Sequence, residues 1–290
     1  MTAPVIDIHP HVISEDRGSY PLKPLGGRQS GWSAARPLSG DALLRAMDDA
    51  GVARAAIVQT STAYGFDNSY VADVVAAHPG RLTGVCSIDV LAENAVDVLR
   101  TWVEERGMTG LRLFTTGSTM PGQADWLDDE RTFPVWAWAE AHDIPVCVQM
   151  TPEGQPRLRN LLRRFPAAKV ILDHLTQPSI ESGPPYPGAA TLFELADYDN
   201  VYLKVTTENF QHSRDGAASP ETWFGRIFEV FGARRIAWGS NFPAAEGTLP
   251  ELVGMARDQL SFLSAEDADW VFSRTAQSLY PVLASVGAAR

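Results

Sequence analysis

The sequence predicts a single (β/α)8 barrel over residues 1–290, with extra helices at its C-terminal end. Three observations carry that prediction. Short β-branched runs alternate with segments of helical period, about eight times without a break. No linker-like stretch divides the chain. The loop after the first apolar run lacks GxGxxG, which argues against the competing doubly wound nucleotide-binding sheet. Strand-then-helix repeats imply parallel strands with right-handed crossovers, and a barrel is their most economical closure.

Taken in order, the predicted strands are Val5 to His9, Ala53 to Gln59, Leu82 to Asp89 and Gly110 to Phe114, then Pro145 to Met150, Lys169 to His174, Val201 to Thr206 and Arg235 to Ser240. Between them lie helical patterns over Gly40 to Ala50, Asn94 to Arg106, Glu130 to His142, Arg157 to Phe165 and Glu221 to Phe231. Ser39, Asn94 and Ser219 sit where side-chain oxygens would cap a helix start, and Pro220 suits a first turn. Leu249 to Leu283 reads as two or three closing helices.

Composition narrows the partners. At 290 residues, 45% hydrophobic and 20% charged, the chain can bury a large core in one domain. Its net charge of -11 is spread along the chain, which argues against a nucleic-acid partner. Val146 to Met150 and Val170 to Leu172 are too short to span a bilayer, and Met1 to Pro4 has neither the basic nor the apolar region of an export signal. A cytoplasmic protein is therefore expected. Cys86 and Cys147 both fall in apparent strands and read as small buried hydrophobes, not as a disulfide or a thiolate metal site.

Catalytic groups of such barrels sit at the C-terminal ends of the strands. There the sequence places Asp7, His9 and His11, which alternation puts on one face, then Arg112, Gln149, Asp173-His174, Lys204 with Thr206 and Glu208, and Gly239-Ser240-Asn241. Two imidazoles at spacing i, i+2 on a strand point into one volume, and His174 is the natural third ligand of an open metal site. Alternation turns Asp173 away from His174. His78 and His142 read as helix-end residues, His212 as an exposed loop residue, and Trp102, Trp136 and Trp138 as outer packing. The loop Val12 to Pro37 gathers Arg17, Lys23, Arg28 and Arg36 with Tyr20 and Trp32. It is either a solvated loop or an anion-binding wall, and Arg112 is the better anion-binding candidate.

These motifs resemble the amidohydrolase-related family of metal-dependent TIM-barrel hydrolases. The resemblance lies in Ile6-Asp7-Ile8-His9-Pro10-His11, Tyr20-Pro21, Leu172-Asp173-His174, Val201-Tyr202-Leu203-Lys204 and Trp238-Gly239-Ser240-Asn241-Phe242-Pro243. It runs from Val5 to about Tyr280 and is most similar to the branch of 2-pyrone-4,6-dicarboxylate lactonase and sugar lactonases. The resemblance implies one divalent ion, zinc first, on His9, His11 and His174, or, as the lactonase branch permits, none. Two departures stand out: metal-binding members end the fifth strand in histidine and the eighth in aspartate, where this chain has Gln149 and Asn241. An amide has no titratable carboxylate and cannot be a general base at neutral pH.

Three readings follow. The first is a hydrolase of a small carboxylated cyclic substrate (lactone, ester or amide), with His174, Asn241 and Lys204 catalytic and Arg112, Tyr20, Gln149 and Glu208 binding the substrate. The second is a non-oxidative decarboxylase of a small aromatic or unsaturated acid, with Lys204 or His174 supplying the proton. The third is a catalytically impaired barrel that binds a small molecule. The expected partner in each is a small anionic molecule, with neither nucleic acid nor membrane, and assembly into a homo-oligomer is left open.

Overall fold

A computed structural model describes residues 4–116 and 126–284. Eight parallel strands follow one another around a sheet in chain order. They are β1 (Val5–Asp7), β2 (Val52–Val58), β3 (Leu82–Cys86), β4 (Met108–Phe114), β5 (Val146–Gln149), β6 (Val170–Asp173), β7 (Val201–Thr206) and β8 (Ile236–Gly239). The last strand meets the first through the Ile8 N–H, which donates to the Trp238 carbonyl at 3.3 Å. The predicted barrel is the observed one.

Its interior is filled by small and branched side chains: Ile6, Ile8, Ala56, Val58, Val85, Ile171 and Ala237 pack with Cys147. Leu279, Tyr280 and Leu283 from the C-terminal segment join this cluster and seal one end. The Arg54 guanidinium, near the start of β2, reaches the Leu283 carbonyl at 3.4 Å, so the sealed end is where the strands begin. The functional volume can open only at the other end, where the strands finish.

The outer layer is a second apolar cluster between sheet and helices. The helix Gly40–Ala50 contributes Leu43 and Met47, and Pro220–Phe231 contributes Trp223, Phe224 and Ile227. Trp136 and Trp138 lie in this layer and Trp102 packs against it, as expected. Ser39 accepts the Ala42 N–H at 3.2 Å and Ser219 the Thr222 N–H at 3.3 Å, so both cap as predicted. Asn94 occupies an N-cap position without a side-chain capping bond. The predicted helix over Asn94 to Arg106 is an α-helix, Ala95–Arg100, continued by a π turn, Thr101–Glu105. His78 and His142 end their helices. Among the described residues no helix is long and apolar enough to cross a membrane.

Two strands stop two or more residues earlier than predicted, β1 at Asp7 and β3 at Cys86. At β1 the cause is local. The Asp7 carboxylate Oδ1 accepts the N–H groups of His9 at 2.9 Å and Ser240 at 2.8 Å, which turns the chain out of the strand. Ile6 and Ile8 point into the barrel, so the alternation expected to group Asp7 with His9 and His11 ends at Asp7.

Closure leaves no room at Gly239, where an added Cβ would lie 2.6 Å from the His9 Cβ and 3.3 Å from its backbone nitrogen. Gly239→Ala is expected to cost about 1–3 kcal/mol of stability, the usual penalty for overpacking, as read by urea unfolding. An unchanged midpoint would mean that the β1–β8 seam is looser than its spacing implies.

Candidate active site

At the open end the chain assembles a compact imidazole group. The His9 and His11 rings are 5.0 Å apart, and the His9 and His174 rings 5.0 Å apart. His9 is fully buried, and among the described residues neither ring nitrogen has a hydrogen-bond partner. His11 directs Nδ1 at the Val58 carbonyl oxygen, 2.9 Å away. A carbonyl only accepts, so Nδ1 carries the proton and Nε2 is the free lone pair.

His174 reaches this group by an unusual backbone. After β6 the residues His174, Leu175, Thr176 and Gln177 all adopt positive φ, between 51° and 60°. Side chains disfavour that region, and such strain persists only where the surroundings impose it. The turn carries His174 to the same side as Asp173, correcting the expectation that alternation would separate them. The His174 Nδ1 sits 2.7 Å from the Thr206 Oγ1, with the Glu208 carboxylate 3.4 Å away.

Beneath the imidazoles lies a buried ionic network. The Lys204 Nζ is 2.8 Å from one oxygen of Asp173, and the Arg112 Nε donates to the other at 2.7 Å. The same guanidinium donates to the Gln149 Oε1 at 2.8 Å. Burial alone would raise the Asp173 pKa, but Lys204 and Arg112 outweigh it and hold the carboxyl well below its usual range. Burial, reinforced by those cations, pushes His9 far below the usual imidazole value and His11 down to about 3, while burial lowers His174. All three imidazoles are therefore neutral near pH 7, and Asp173 is an anion that does not act as a base.

The mouth opens into a cavity of about 690 Å³ whose wall includes His11, His174, Arg112, Gln149, Glu208 and Asn241. Of the cationic loop, Arg28 and Arg36 face this cavity together with Trp32, whose ring lies 5.3 Å from that of His11. Arg36 donates to the carbonyls of Pro243 and Ala244 at 2.8 and 2.7 Å, pinning the first-strand loop to the eighth. Gln177 steadies Glu208 by donating to Oε1 at 2.9 Å. His212 ends the helix Thr207–His212, and although exposed it also reaches the rim.

Two candidates fall elsewhere. Tyr20 turns its hydroxyl to the Asp73 carboxylate, 2.7 Å away, and is not on the cavity wall. Lys204 has no exposed surface and lies against Asp173, with Cys147 Sγ at 3.4 Å, instead of facing the cavity. Sequence reasoning missed Gln59, Thr60 and Ser61 after β2, although a polar run behind an apolar strand is a readable sign of a mouth position. It also missed Thr206 as the partner of His174.

Among the described residues, His9, Asp173 and His174 bring one ligand atom each within 4.8 Å of one another. His11, expected as one of the three ligands, stands outside that group, which includes Asp173 instead. The unpartnered, buried, neutral ring of His9 suits a divalent cation, as does the anionic carboxylate.

A barrel with this polar mouth defines the class of TIM-barrel proteins that work at their strand ends. The chain belongs to the amidohydrolase family, whose profile matches residues 6–282. It is 27% identical over 198 residues to an L-fucono-1,5-lactonase of Burkholderia ambifaria, an alignment covering 67% of this chain and 66% of that one. In structure it resembles a proposed 2-pyrone-4,6-dicarboxylic acid hydrolase of Pseudomonas putida (TM-score 0.74, 23% identity, 97% of this chain and 99% of that one). A Burkholderia multivorans amidohydrolase with bound zinc is equally similar (TM-score 0.75, 23% identity, 96% and 99%).

Because burial keeps His11 deprotonated in the folded chain, its stability depends on pH. Between pH 6.5 and about 3 the unfolded chain binds a proton at this residue that the folded chain does not, so stability falls as pH falls. Between pH 7 and 5 the metal-stripped protein should lose about 2 kcal/mol more than a His11→Asn variant, read by urea unfolding at both pH values. Equal losses would mean that His11 titrates normally.

Proposed function

We propose that the protein hydrolyses a small anionic lactone. The observation that carries this reading is a single cavity that sets three arginines, Arg28, Arg36 and Arg112, against neutral imidazoles. Arginine forks hold a carboxylate in a defined orientation, and neutral imidazoles accept the proton that an attacking water must lose. The lactonase relative supports an ester ring as the reacting group.

Each residue then has a role. Arg112, braced by Asp173 and Gln149, holds the anionic substituent. His11, with Nδ1 anchored on Val58, presents the Nε2 lone pair to the cavity as a hydrogen-bond acceptor that orients water or substrate; burial and Arg112 make it too weak a base to keep a proton. His174 is oriented through Thr206, and with the Asp173 and Glu208 carboxylates offsetting its burial, its other nitrogen is the proton acceptor when no ion occupies it. Asn241 has φ of 57°, which asparagine tolerates, and lines the cavity with an amide that can both donate and accept. It orients substrate or water but takes no proton. Lys204 is a positioning residue that keeps Asp173 charged.

A divalent ion, with zinc favoured by the imidazole donors, would be held by His9, His174 and Asp173, and bound there it would polarise the ring carbonyl or acidify a water. Elemental analysis of protein purified without chelator should find about one zinc per chain, and His9→Ala should abolish it. Full activity after exhaustive chelation, with no metal found, would remove the ion from the reading.

Activity is tested on a panel of carboxylated and uncarboxylated lactones by acid release. Carboxylated rings should react fastest. Arg112→Lys, which keeps the charge but loses the fork, should lower kcat/KM about 10–100-fold on these and much less on uncarboxylated rings. Gas release from aromatic acids without lactone cleavage would overturn hydrolysis in favour of decarboxylation.

A further inference from the structure

Beside the main cavity lies a second hollow of about 230 Å³, and Arg112 and Phe114 border both. Its remaining walls are largely apolar: Leu25, Phe66, Ile88, Leu91 and Trp126. The Arg112 guanidinium carbon stands 4.4 Å over the Phe114 ring, which orients the fork at the boundary of the two hollows. Of its five N–H groups, one is spent on Asp173 and one on Gln149. Asp89, on the rim, is exposed, and its Oδ1 accepts the Leu91 N–H at 3.0 Å. Phe66 forms part of the lip and stays 38% exposed, although its neighbours leave a recess that an apolar group could fill.

We propose that this hollow binds the apolar part of an amphiphilic carboxylate, aryl or short alkyl, whose headgroup meets Arg112. The physical basis is a concave apolar wall with one charged anchor at its edge, the usual make-up of a site for a small amphiphilic ligand. A benzene ring occupies an engineered cavity of about 150 Å³, so a ring with a short linker fits the volume here. The occupant is a small molecule, because a carboxylate must reach a guanidinium that is only 5% exposed. The proposal rests on the lactone-hydrolysing reading only in making this group a substituent of the same substrate. It implies that the preferred lactone carries an apolar arm next to its carboxylate.

The test reads binding first and turnover second. Acetate and 3-phenylpropionate are titrated calorimetrically into the full chain at fixed ionic strength. 3-Phenylpropionate should bind at least about tenfold tighter, from burial of its ring. Phe66→Asp and Leu25→Lys should each erase that preference, while Phe262→Asp, on an exposed side chain of the outer layer, should keep it. If one lip variant fails to fold, as judged by thermal melting, the other decides. Equal affinity for the two acids, or a preference that survives the lip substitutions, overturns the subsite. If no lactone is cleaved but the Phe66-dependent preference is present, the hydrolysis reading falls and the subsite stands. If lactones are cleaved and the aryl acid binds no tighter than acetate, the reverse holds.

Discussion

The site is organised around one buried carboxylate. Asp173 has no exposed side-chain surface and lies between the Lys204 ammonium at 2.8 Å and the Arg112 guanidinium at 2.7 Å. An isolated charge at this depth would be strongly unfavourable, and removal of either partner would leave the rest of the network uncompensated. The pairing fixes Asp173 as an anion and aims Arg112 at the cavity. Burial, reinforced by the two cations, keeps His9 and His11 unprotonated. The candidate metal group, the arginine proposed to hold the substrate and the neutral imidazoles thus depend on the same few contacts.

The backbone at the strand ends is the second constraint. Parallel strands deliver their termini to one rim, but strict alternation would send half of the side chains there outward. The chain breaks alternation at the candidate site. β1 ends when Asp7 captures two backbone N–H groups, and His9 and His11 lie beyond it. β6 gives way to four successive residues of positive φ, which turn His174 back beside Asp173. Asn241 uses the same region after β8. Contacts around the rim stabilise these conformations: Asn209 donates to the His174 carbonyl at 2.9 Å, and Thr207 to the Ser240 carbonyl at 2.7 Å.

Much of this was legible in the chain. Short β-branched runs and helical segments identify the barrel because burial against helices and neighbouring strands is what those patterns express. His11, His174, Gln149 and Asn241 were expected at the rim because each follows or ends an apolar run, and Arg112 because it is the one charge inside such a run near its end. Tyr20 was misplaced because a loop residue has no period, and its hydroxyl is held by Asp73, far away in sequence. Lys204 was expected at the rim with Thr206 and Glu208 but lies buried against Asp173, because depth along the barrel axis depends on which side chains pack above it.

The sequence by itself determined the eight-strand barrel, the rim residues and the cationic character of the first loop, since these follow from local periodicity and residue type. Only the tertiary structure decided that Asp173 joins His9 and His174, that Lys204 lies under the cavity, and that Arg112 borders two hollows. Those relations join strands distant in the chain and depend on backbone turns that strand alternation does not predict. Their energies arise from burial and from charges meeting across the barrel, quantities that no single segment carries.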